Sequence, residues 1–485
     1  MRILIDTNVF IHAESDKEIS SELAKIHSIC MKNNITLMVH PASLQDIQRD
    51  TEDNRRAIHA SKFKKYPVLE SPGEPDEQFL SVVGEGSRHQ DKIDNEILYS
   101  VIKNAVNYLI TEDKGIHKKA VKLGLNDRVL TITEAEEYLT SLYSKYQPYH
   151  LTIENIPIHE LDYTSKFFDS LREDYPGFDE WFIKKSKEGR MCWCWRDNQN
   201  NLKAILIYAD KNKPIFTKNP KKTMKICTFK VSEDFTGKKI GELLLKLCFE
   251  YCSLNNMDST FVTTFPKKEH LINLLEEFGF IKIDDMDNGE VIYAMNFIAP
   301  ESLGDMHPFV YDKKYFPKYY DGAMVKKFII PIKPKYHDRL FGDVKRSQLY
   351  IDEFEPMVVE QNTIKKVYLS KSKITVMNPG DLILFYRSEE HQAITGIGIV
   401  ERTQRFKNNF EKLLEFIGPR SVYTEKELKE QYESEALAIL FRYVGQLPKT
   451  VSREDLKKMG IIKEGPQSIQ KLDHRLFNKL MESVN

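Results

Sequence analysis

Four aspartates in the N-terminal third of the chain have the residue type and spacing to hold a cation. Asp6 and Asp113 each follow a short apolar run, whereas Asp46 and Asp94 lie in helical stretches after such runs. Because parallel strands end at one edge of a sheet, we expect these carboxylates to converge there. Their repulsion is removed by a hard cation such as Mg²⁺ or Mn²⁺, which prefers oxygen ligands. The pattern therefore predicts a metal site that polarises a phosphodiester and activates a water.

The motifs around these aspartates resemble those of the PIN domain family of metal-dependent nucleases, over about residues 1–140. They are DTN (6–8), P-x4-D (41–46), D-x-x-I-L (94–98) and T-x-D (111–113). The resemblance implies that Asp6, Asp46, Asp94 and Asp113 are catalytic and bind Mg²⁺ or Mn²⁺, although many members carry glutamate at the second position. The alternative is that each aspartate is a helix cap or a surface residue, and Asp94 is a good N-cap candidate. Supporting or substitute residues in the site would be Asn8, Thr111, Asp91, Glu96 and Glu112.

A second candidate site is a strand, loop and helix over residues 223–252. Amides at a helix N-terminus bind phosphate, and Lys238 and Lys239 add positive charge. With a later strand, helix, Gly-Phe and strand, this segment resembles the GNAT acetyltransferase fold over about residues 150–298. The resemblance implies that acetyl-CoA is bound by the end of the strand and by the loop. The residues concerned are Val231, Gly237, Lys238, Lys239, Ile240 and Gly241.

The loop and the helix that follows depart from the family pattern. Thr236 and Lys239 stand where the family has Arg or Gln and a glycine, and Leu275 stands where many members carry a general-acid tyrosine. Tyr293 can serve as a general acid instead. The domain is therefore either an active acetyltransferase or a scaffold that binds acyl-CoA or has only an architectural role.

The C-terminal region contains short strands that suggest a small barrel. The segments KFIIPIKPKYHDRLF and NPGDLILFYRSEEHQAITGIGIVE resemble the PUA-like fold, specifically its ASCH and EVE relatives. The resemblance implies binding of RNA or modified bases, whereas the catalytic motif of the ASCH family is incomplete here. Candidate contact residues are Lys345, Arg346, Arg387, Gln467 and Ser468.

These elements predict an α/β multidomain chain, and its 485 residues correspond to about three domains. We expect a parallel-sheet α/β/α domain over 1–142, a mixed-sheet domain over 150–298 and a small barrel with helices over 326–485. The connector 299–325 interleaves aromatic residues with lysines. Its rings either stack on bases or pack between domains, and packing is favoured because so many aromatics must bury area.

Bulk composition limits the partners and the compartment. Lys+Arg number 71 and Asp+Glu 72, so net charge does not by itself argue for nucleic acid. No apolar stretch approaches the about 18 residues of a membrane span, and Asp6 interrupts the only signal-like segment. The cysteines fit a reducing compartment, although Cys192, Cys194, Cys248 and Cys252 can also be drawn as a zinc site. We expect a cytoplasmic protein with RNA as a partner, acyl-CoA as a second ligand and no membrane.

Three functions are compatible with this pattern. The first is a metal-dependent ribonuclease with an attached acetyl-CoA-dependent acyltransferase and an RNA-recognition domain, acting in RNA processing or modification or as a toxin-like protein. The second is an N-acetyltransferase of RNA, aminoacyl-tRNA or protein with a non-catalytic PIN fold. The third is a non-catalytic RNA-binding scaffold.

Overall fold

A computed structural model of the chain describes most of its residues. The described ranges are 1–14, 20–49, 51–70, 73–143, 150–197, 199–212, 222–232, 235, 238–341, 357–374, 377–433 and 435–484. Gly237, Lys345 and Arg346 lie outside them.

One compact unit comprises Met1–Gln147 together with Phe406–Ala438. In its N-terminal part, strands alternate with helices: β1 (Arg2–Ile5), α1 (Thr7–Ala13), α2 (Ser21–Lys32), β2 (Thr36–Val39), α3 (Pro41–Gln48), α4 (Asp53–Phe63), α5 (Glu77–Val83), α6 (His89–Ile102), β3 (Tyr108–Ile110), α7 (Lys114–Lys122), β4 (Val129–Leu130) and α8 (Ile132–Tyr143). The strands form a parallel sheet in the order β2-β1-β3-β4, as the alternation predicts. Leu4, Ile97 and Leu109 are completely buried in its core.

Strand register places polar residues of distant sequence at one edge of this sheet. Ile5 pairs with both Val39 and Ile110. The residues that follow these three are Asp6, His40 and Thr111, so they leave the sheet at the same level. Polar residues collect at this edge because the three apolar strands end in matched register.

The other compact unit comprises Pro148–Arg405 and Ile439–Asn485. Its first part contains β5 (His150–Leu151), β6 (Ile153–Pro157), α9 (Asp169–Asp174), α10 (Phe178–Lys187), β7 (Met191–Arg196), β8 (Leu202–Asn212), β9 (Lys222–Val231), α11 (Ile240–Leu254), β10 (Ser259–Thr264), α12 (Glu269–Glu277), β11 (Ile281–Asp285), β12 (Val291–Asn296) and α13 (Pro308–Tyr315). Seven of the strands form a mixed sheet in the order β11-β12-β10-β9-β8-β7-β6. The predicted mixed-sheet fold is confirmed.

The two cysteine pairs of this region, one on β7 and one on α11, pack in different hydrophobic cores. Cys192 and Cys194 lie among residues of α10 and β8, whereas Cys248 and Cys252 lie with Met224. Each pair therefore fills its own core as small apolar side chains do.

The remaining elements run from β13 to the C-terminus. They are β13 (Lys327–Ile332), α14 (Pro334–Leu340), β14 (Met357–Val358), α15 (Val359–Asn362), β15 (Lys365–Ser370), β16 (Leu382–Arg387), β17 (Ala393–Lys407), α16 (Phe410–Ile417), α17 (Glu425–Tyr432), β18 (Glu435–Ser452), α18 (Arg453–Lys458), β19 (Gln470–Leu472) and α19 (His474–Val484). They build a six-stranded sheet in the order β15-β18-β17-β16-β13-β19, consistent with a PUA-like domain. The segment Phe406–Ala438, which carries α16 and α17, belongs to the first compact unit.

Several aromatic rings of the connector 299–325 are buried in hydrophobic contacts. Tyr311 and Tyr315 form a small core with Leu303, and the ring of Phe316 lies 5.7 Å from that of Phe249. Of the two alternatives for these rings, their burial supports packing.

Candidate functional sites

Asp6 is held rigidly at the end of β1. Its Oδ1 accepts a hydrogen bond from the Thr7 amide at 2.6 Å, and its Oδ2 accepts one from Thr111 Oγ1 at 2.8 Å. Asp6 thus caps α1, and the hydroxyl of Thr111 holds its second carboxylate oxygen. Burial raises the pKa of Asp6 to about 6 despite these hydrogen bonds, and the charges of Asp113 and Asp46 act in the same direction.

Asp94 lies inside α6 and is not its N-cap, because the helix begins after Arg88. Asp94 is buried, and that burial raises its pKa to about 7, with further contributions from the charges of Asp113 and Asp6. Asp46, on α3, is joined to Asp94 through the amide of Gln90, whose Nε2 lies 3.4 Å from an oxygen of each carboxylate. The structure therefore brings Asp6, Asp46, Asp94 and Asp113 into one electrostatic neighbourhood.

Asp113 is the N-cap of α7, where its Oδ1 accepts a hydrogen bond from the Ile116 amide at 2.9 Å. The substitute acids have other partners. Asp91 pairs with Arg88 at 2.9 Å, and Glu112 accepts a hydrogen bond from the Ile132 amide at 2.7 Å. Asp91 and Glu112 are therefore each engaged by a partner outside the four predicted aspartates.

The donor set of the four aspartates suits Mg²⁺ or Mn²⁺, because it consists of oxygens alone. Thr7 Oγ1, next to Asp6, is buried without a hydrogen-bond partner in the described part of the chain. Within the described ranges, no three His, Cys, Asp or Glu side chains are close enough together to hold an ion. Binding a cation would therefore require the carboxylates to move closer, starting from positions in which they already repel one another.

Two residues at this site were missed by sequence reasoning. Gln90 precedes Asp94 by four residues, so helical periodicity alone places both on one face. Arg88 begins the same turn; its side chain is 79% exposed although it pairs with Asp91. Neither residue belongs to a recognised motif, which is why composition and motif spacing do not reveal them.

The second candidate site lies where β9 and β10 diverge. The two strands pair in parallel over Thr223–Ile226 and Ser259–Val262, and β9 continues to Val231 with no further pairing to β10 in the described residues. A bulge between Ile226 and Thr228 interrupts pairing with β8 on the other side. The edge of β9 beyond Ile226 is therefore open to an extended ligand.

The described residues between β9 and α11 are Ser232, Phe235, Lys238 and Lys239. The amide of Lys238 donates to the Phe235 carbonyl at 3.3 Å, and Lys239 has a left-handed backbone with φ of 55°. This backbone explains why the family places glycine here, and a lysine adopts it at a cost of about 1 kcal/mol. Gly241 serves packing, since a Cβ there would lie 2.9 Å from Leu274 Cδ2. Val231 is the last residue of β9, and Ile240, the first residue of α11, is buried.

A tyrosine of β12 contacts α12, the helix that carries Leu275. Leu275 is fully buried, whereas Tyr293 on β12 donates its hydroxyl to Glu276 Oε1 at 3.0 Å. Burial raises the pKa of Tyr293 to about 12, which keeps it protonated and able to donate. Tyr293 thus contacts α12, next to Leu275, the position at which many family members carry a tyrosine.

A further group that sequence reasoning missed lies at the end of β10. Tyr175 donates its hydroxyl to Glu290 Oε1 at 3.0 Å, and its ring lies 5.2 Å from that of Phe265. Phe265 follows β10 directly, and Glu290 precedes β12, which pairs with β10. These residues come from separate loops, so only the tertiary fold brings them together.

The third candidate site is in the C-terminal sheet. Of the predicted contacts, Arg387 pairs with Asp338 at 3.1 Å, and Gln467 and Ser468 are exposed. Nearby, the hydroxyl of Tyr386 and Nε of Arg453 are buried without hydrogen-bond partners among the described residues. A Cβ at Gly465 would lie 3.6 Å from the first atom and 3.9 Å from the second.

Three family models match the chain in succession. They are the PIN domain over residues 2–115, the acetyltransferase (GNAT) family over 154–280 and the EVE domain over 352–483. A comparison with curated protein sequences gives no match. No helix in the described ranges is long and apolar enough to cross a membrane.

Solved structures resemble single regions of the chain. An ASCH protein from Zymomonas mobilis is 17% identical, covers 33% of this chain and 96% of its own, and gives a TM-score of 0.26. An IAA acetyltransferase from Bacillus cereus ATCC 14579 is 19% identical and covers 30% and 99%, with a TM-score of 0.24. An acetyltransferase of the GNAT family from Staphylococcus aureus Mu50 is 16% identical and covers 30% and 98%, with a TM-score of 0.23. By its three family matches, the chain carries a PIN domain, a GNAT acetyltransferase domain and an EVE domain, in that order.

Proposed function

We propose that the PIN domain is a metal-dependent endoribonuclease and that the EVE domain contributes RNA recognition. The observation that carries this proposal is the pair of buried acids Asp6 and Asp94. Burial raises the pKa of each carboxyl, and neighbouring carboxylates add to the effect. Because the charged forms of both carboxyls are destabilised, a bound cation would stabilise them, which supports a metal-dependent function.

We assign different roles to the residues of the proposed nuclease site. A bound Mg²⁺ or Mn²⁺ would supply the charge that polarises the scissile phosphate and activates water. Asp6, fixed by Thr111, and Asp94, fixed on α6, would hold the ion with Asp46 and Asp113. Arg88 has an exposed guanidinium in the turn that carries Gln90, and suits a phosphate of the RNA backbone.

The test is cleavage of single-stranded RNA by the full chain with and without Mn²⁺. Asp6→Asn and Asp94→Asn should each lower Mn²⁺-dependent cleavage by about 100-fold or more, because each removes a ligand. Asp53→Asn, at an exposed acid of α4, is the control and should cleave normally. Equal cleavage by all variants, or cleavage that persists in EDTA, would refute the proposal.

We further propose acetyl transfer from acetyl-CoA by the GNAT domain, which is favoured by the open edge of β9 and the adjacent start of α11. Calorimetry should detect acetyl-CoA binding, and Lys239→Glu should weaken it about tenfold by placing a negative charge at the helix N-terminus. Lys187→Glu, on α10, is the matched control. Absence of binding at millimolar acetyl-CoA would leave the domain a structural scaffold.

We propose that the acetyl acceptor is an amine of RNA, of aminoacyl-tRNA or of protein. Tyr175 and Glu290 lie at the end of β10 and can bind the amine that is acetylated. If RNA shifts on a gel but neither cleavage nor acetyl transfer occurs, the scaffold function replaces both enzymatic ones.

A further inference from the structure

Gln90 lies between two of the proposed metal ligands. Its Nε2 donates to Asp46 Oδ2 and to Asp94 Oδ1, both at 3.4 Å. These acceptors belong to different helices, α3 and α6, so the amide is the group that joins them. The side chain of Gln90 is exposed, whereas Asp94 is buried.

The amide is held weakly. Distances of 3.4 Å are at the long end for N–H···O hydrogen bonds, and a single nitrogen is shared by two acceptors. The terminal torsion of glutamine has a broad energy profile, and a half turn exchanges the NH₂ group for the carbonyl oxygen. The NH₂ group repels a cation, but the carbonyl oxygen is a ligand that Mg²⁺ and Mn²⁺ accept.

We propose that Gln90 is a further metal ligand of the PIN domain and that its amide turns when the ion arrives. In the cation-free protein its NH₂ group occupies the space between Asp46 and Asp94 and moderates their repulsion. With the amide turned, the carbonyl oxygen Oε1 of Gln90 would be the atom that holds a divalent cation beside Asp46 and Asp94. This inference rests on the proposed metal-dependent function and adds one neutral ligand to its four carboxylates.

The test is Mn²⁺ binding to the full chain, measured by calorimetry without RNA. Gln90→Ala removes the ligand and should weaken binding about tenfold, whereas Gln90→Glu replaces it with a charged one and should tighten binding about tenfold. Gln45→Glu is the matched control, because Gln45 is also exposed and adjoins Asp46. The control variant should bind within about twofold of the unmodified chain.

The outcomes separate this inference from the function it rests on. If the unmodified chain binds no Mn²⁺, the metal site and the role of Gln90 both fall. If it binds Mn²⁺ but Gln90→Ala binds equally well or more tightly, only the ligand role falls, and Gln90 is a plug that the ion displaces. A structure with Mn²⁺ bound should place Oε1 about 2.1 Å from the ion, and an amide still bonded to the carboxylates would also overturn the proposal.

Discussion

At the scale of single residues, the acid site is marked by carboxyls that are destabilised when charged. The pKa of Asp94 is raised to about 7 in the folded chain, against an ordinary value of 3.8. Such a group favours the folded state below about pH 4, and that contribution is lost as the pH rises through 7. The cation-free protein should therefore lose stability between about pH 4 and pH 7.

Asp94→Asn should remove this loss. In EDTA at pH 8 the variant should be more stable than the unmodified chain by about 2 kcal/mol, and at pH 5 the difference should shrink. The full shift corresponds to about 4 kcal/mol, which we halve because the asparagine amide is itself a polar group that costs free energy to bury. Urea unfolding at both pH values measures it. An equal difference at the two pH values would show that the substitution acts through packing.

Gly279 is required by both its conformation and its surroundings. Its φ is 98°, and a Cβ would lie 2.0 Å from the Lys313 carbonyl oxygen at the end of α13. Gly279→Ala should therefore lower stability by about 3 kcal/mol or more. Gly289 has a similar φ of 83° with nothing within 4 Å, so Gly289→Ala should lose only about 1 kcal/mol. Thermal unfolding compares them; similar losses would mean that the contact with α13 is unimportant.

At the scale of elements, two buried cations and two half-buried carboxylates join α12 to the C-terminal sheet. Arg442 on β18 donates to Glu277 and Glu401, each at 3.2 Å, and Lys365 on β15 pairs with both carboxylates. The paired cations offset the cost of burial, and the pKa of Glu277 is lowered to about 2. The second compact unit is therefore held together by charges as well as by apolar contacts.

Arg442→Met should destabilise the chain by about 3 to 5 kcal/mol, because it removes a fully buried cation and leaves two half-buried carboxylates with one partner fewer. Arg172→Met is the comparison, since Arg172 also pairs with two carboxylates but is 26% exposed. That substitution should lose about 1 kcal/mol or less. Denaturant unfolding distinguishes them, and equal effects would contradict a special role for burial.

At the scale of the whole molecule, the first compact unit is built from two distant stretches of chain. Tyr108 on β3 donates its hydroxyl to the Leu414 carbonyl at 2.7 Å, and Asn107 donates to Glu415 Oε1 at 2.8 Å. Tyr108 and Tyr138 are buried beside α16, with their hydroxyls 2.8 Å apart. The segment Phe406–Ala438 therefore completes the core of the PIN-containing unit.

Replacing residues 409–433 with a short Gly-Ser linker should destabilise the PIN-containing unit selectively. All three tryptophans, Trp181, Trp193 and Trp195, lie in the other unit, so their fluorescence reports on that unit alone. We expect a new unfolding transition at lower temperature by circular dichroism, while the tryptophan transition stays in place. A single unchanged transition by both probes would show that the segment is dispensable.

The sequence by itself determined the succession of domain types and the type of each sheet. Apolar runs of strand length alternating with amphipathic helices leave a parallel sheet as the solution, and aspartates just after those runs must then approach one edge. Lys239 shows that such a pattern can be met by an unexpected residue. The family has a glycine at this position, and here a lysine adopts the left-handed backbone conformation.

Only the tertiary structure decided which residues complete each site. Three features depend on contacts between separate parts of the chain. They are the position of Gln90 between Asp46 and Asp94, the contact of Tyr293 with α12, and the place of residues 406–438 in the first unit. Short-range periodicity fixes the side of a helix or strand on which a residue lies. Periodicity does not determine which residue of another element lies opposite, because that depends on how whole helices and strands pack.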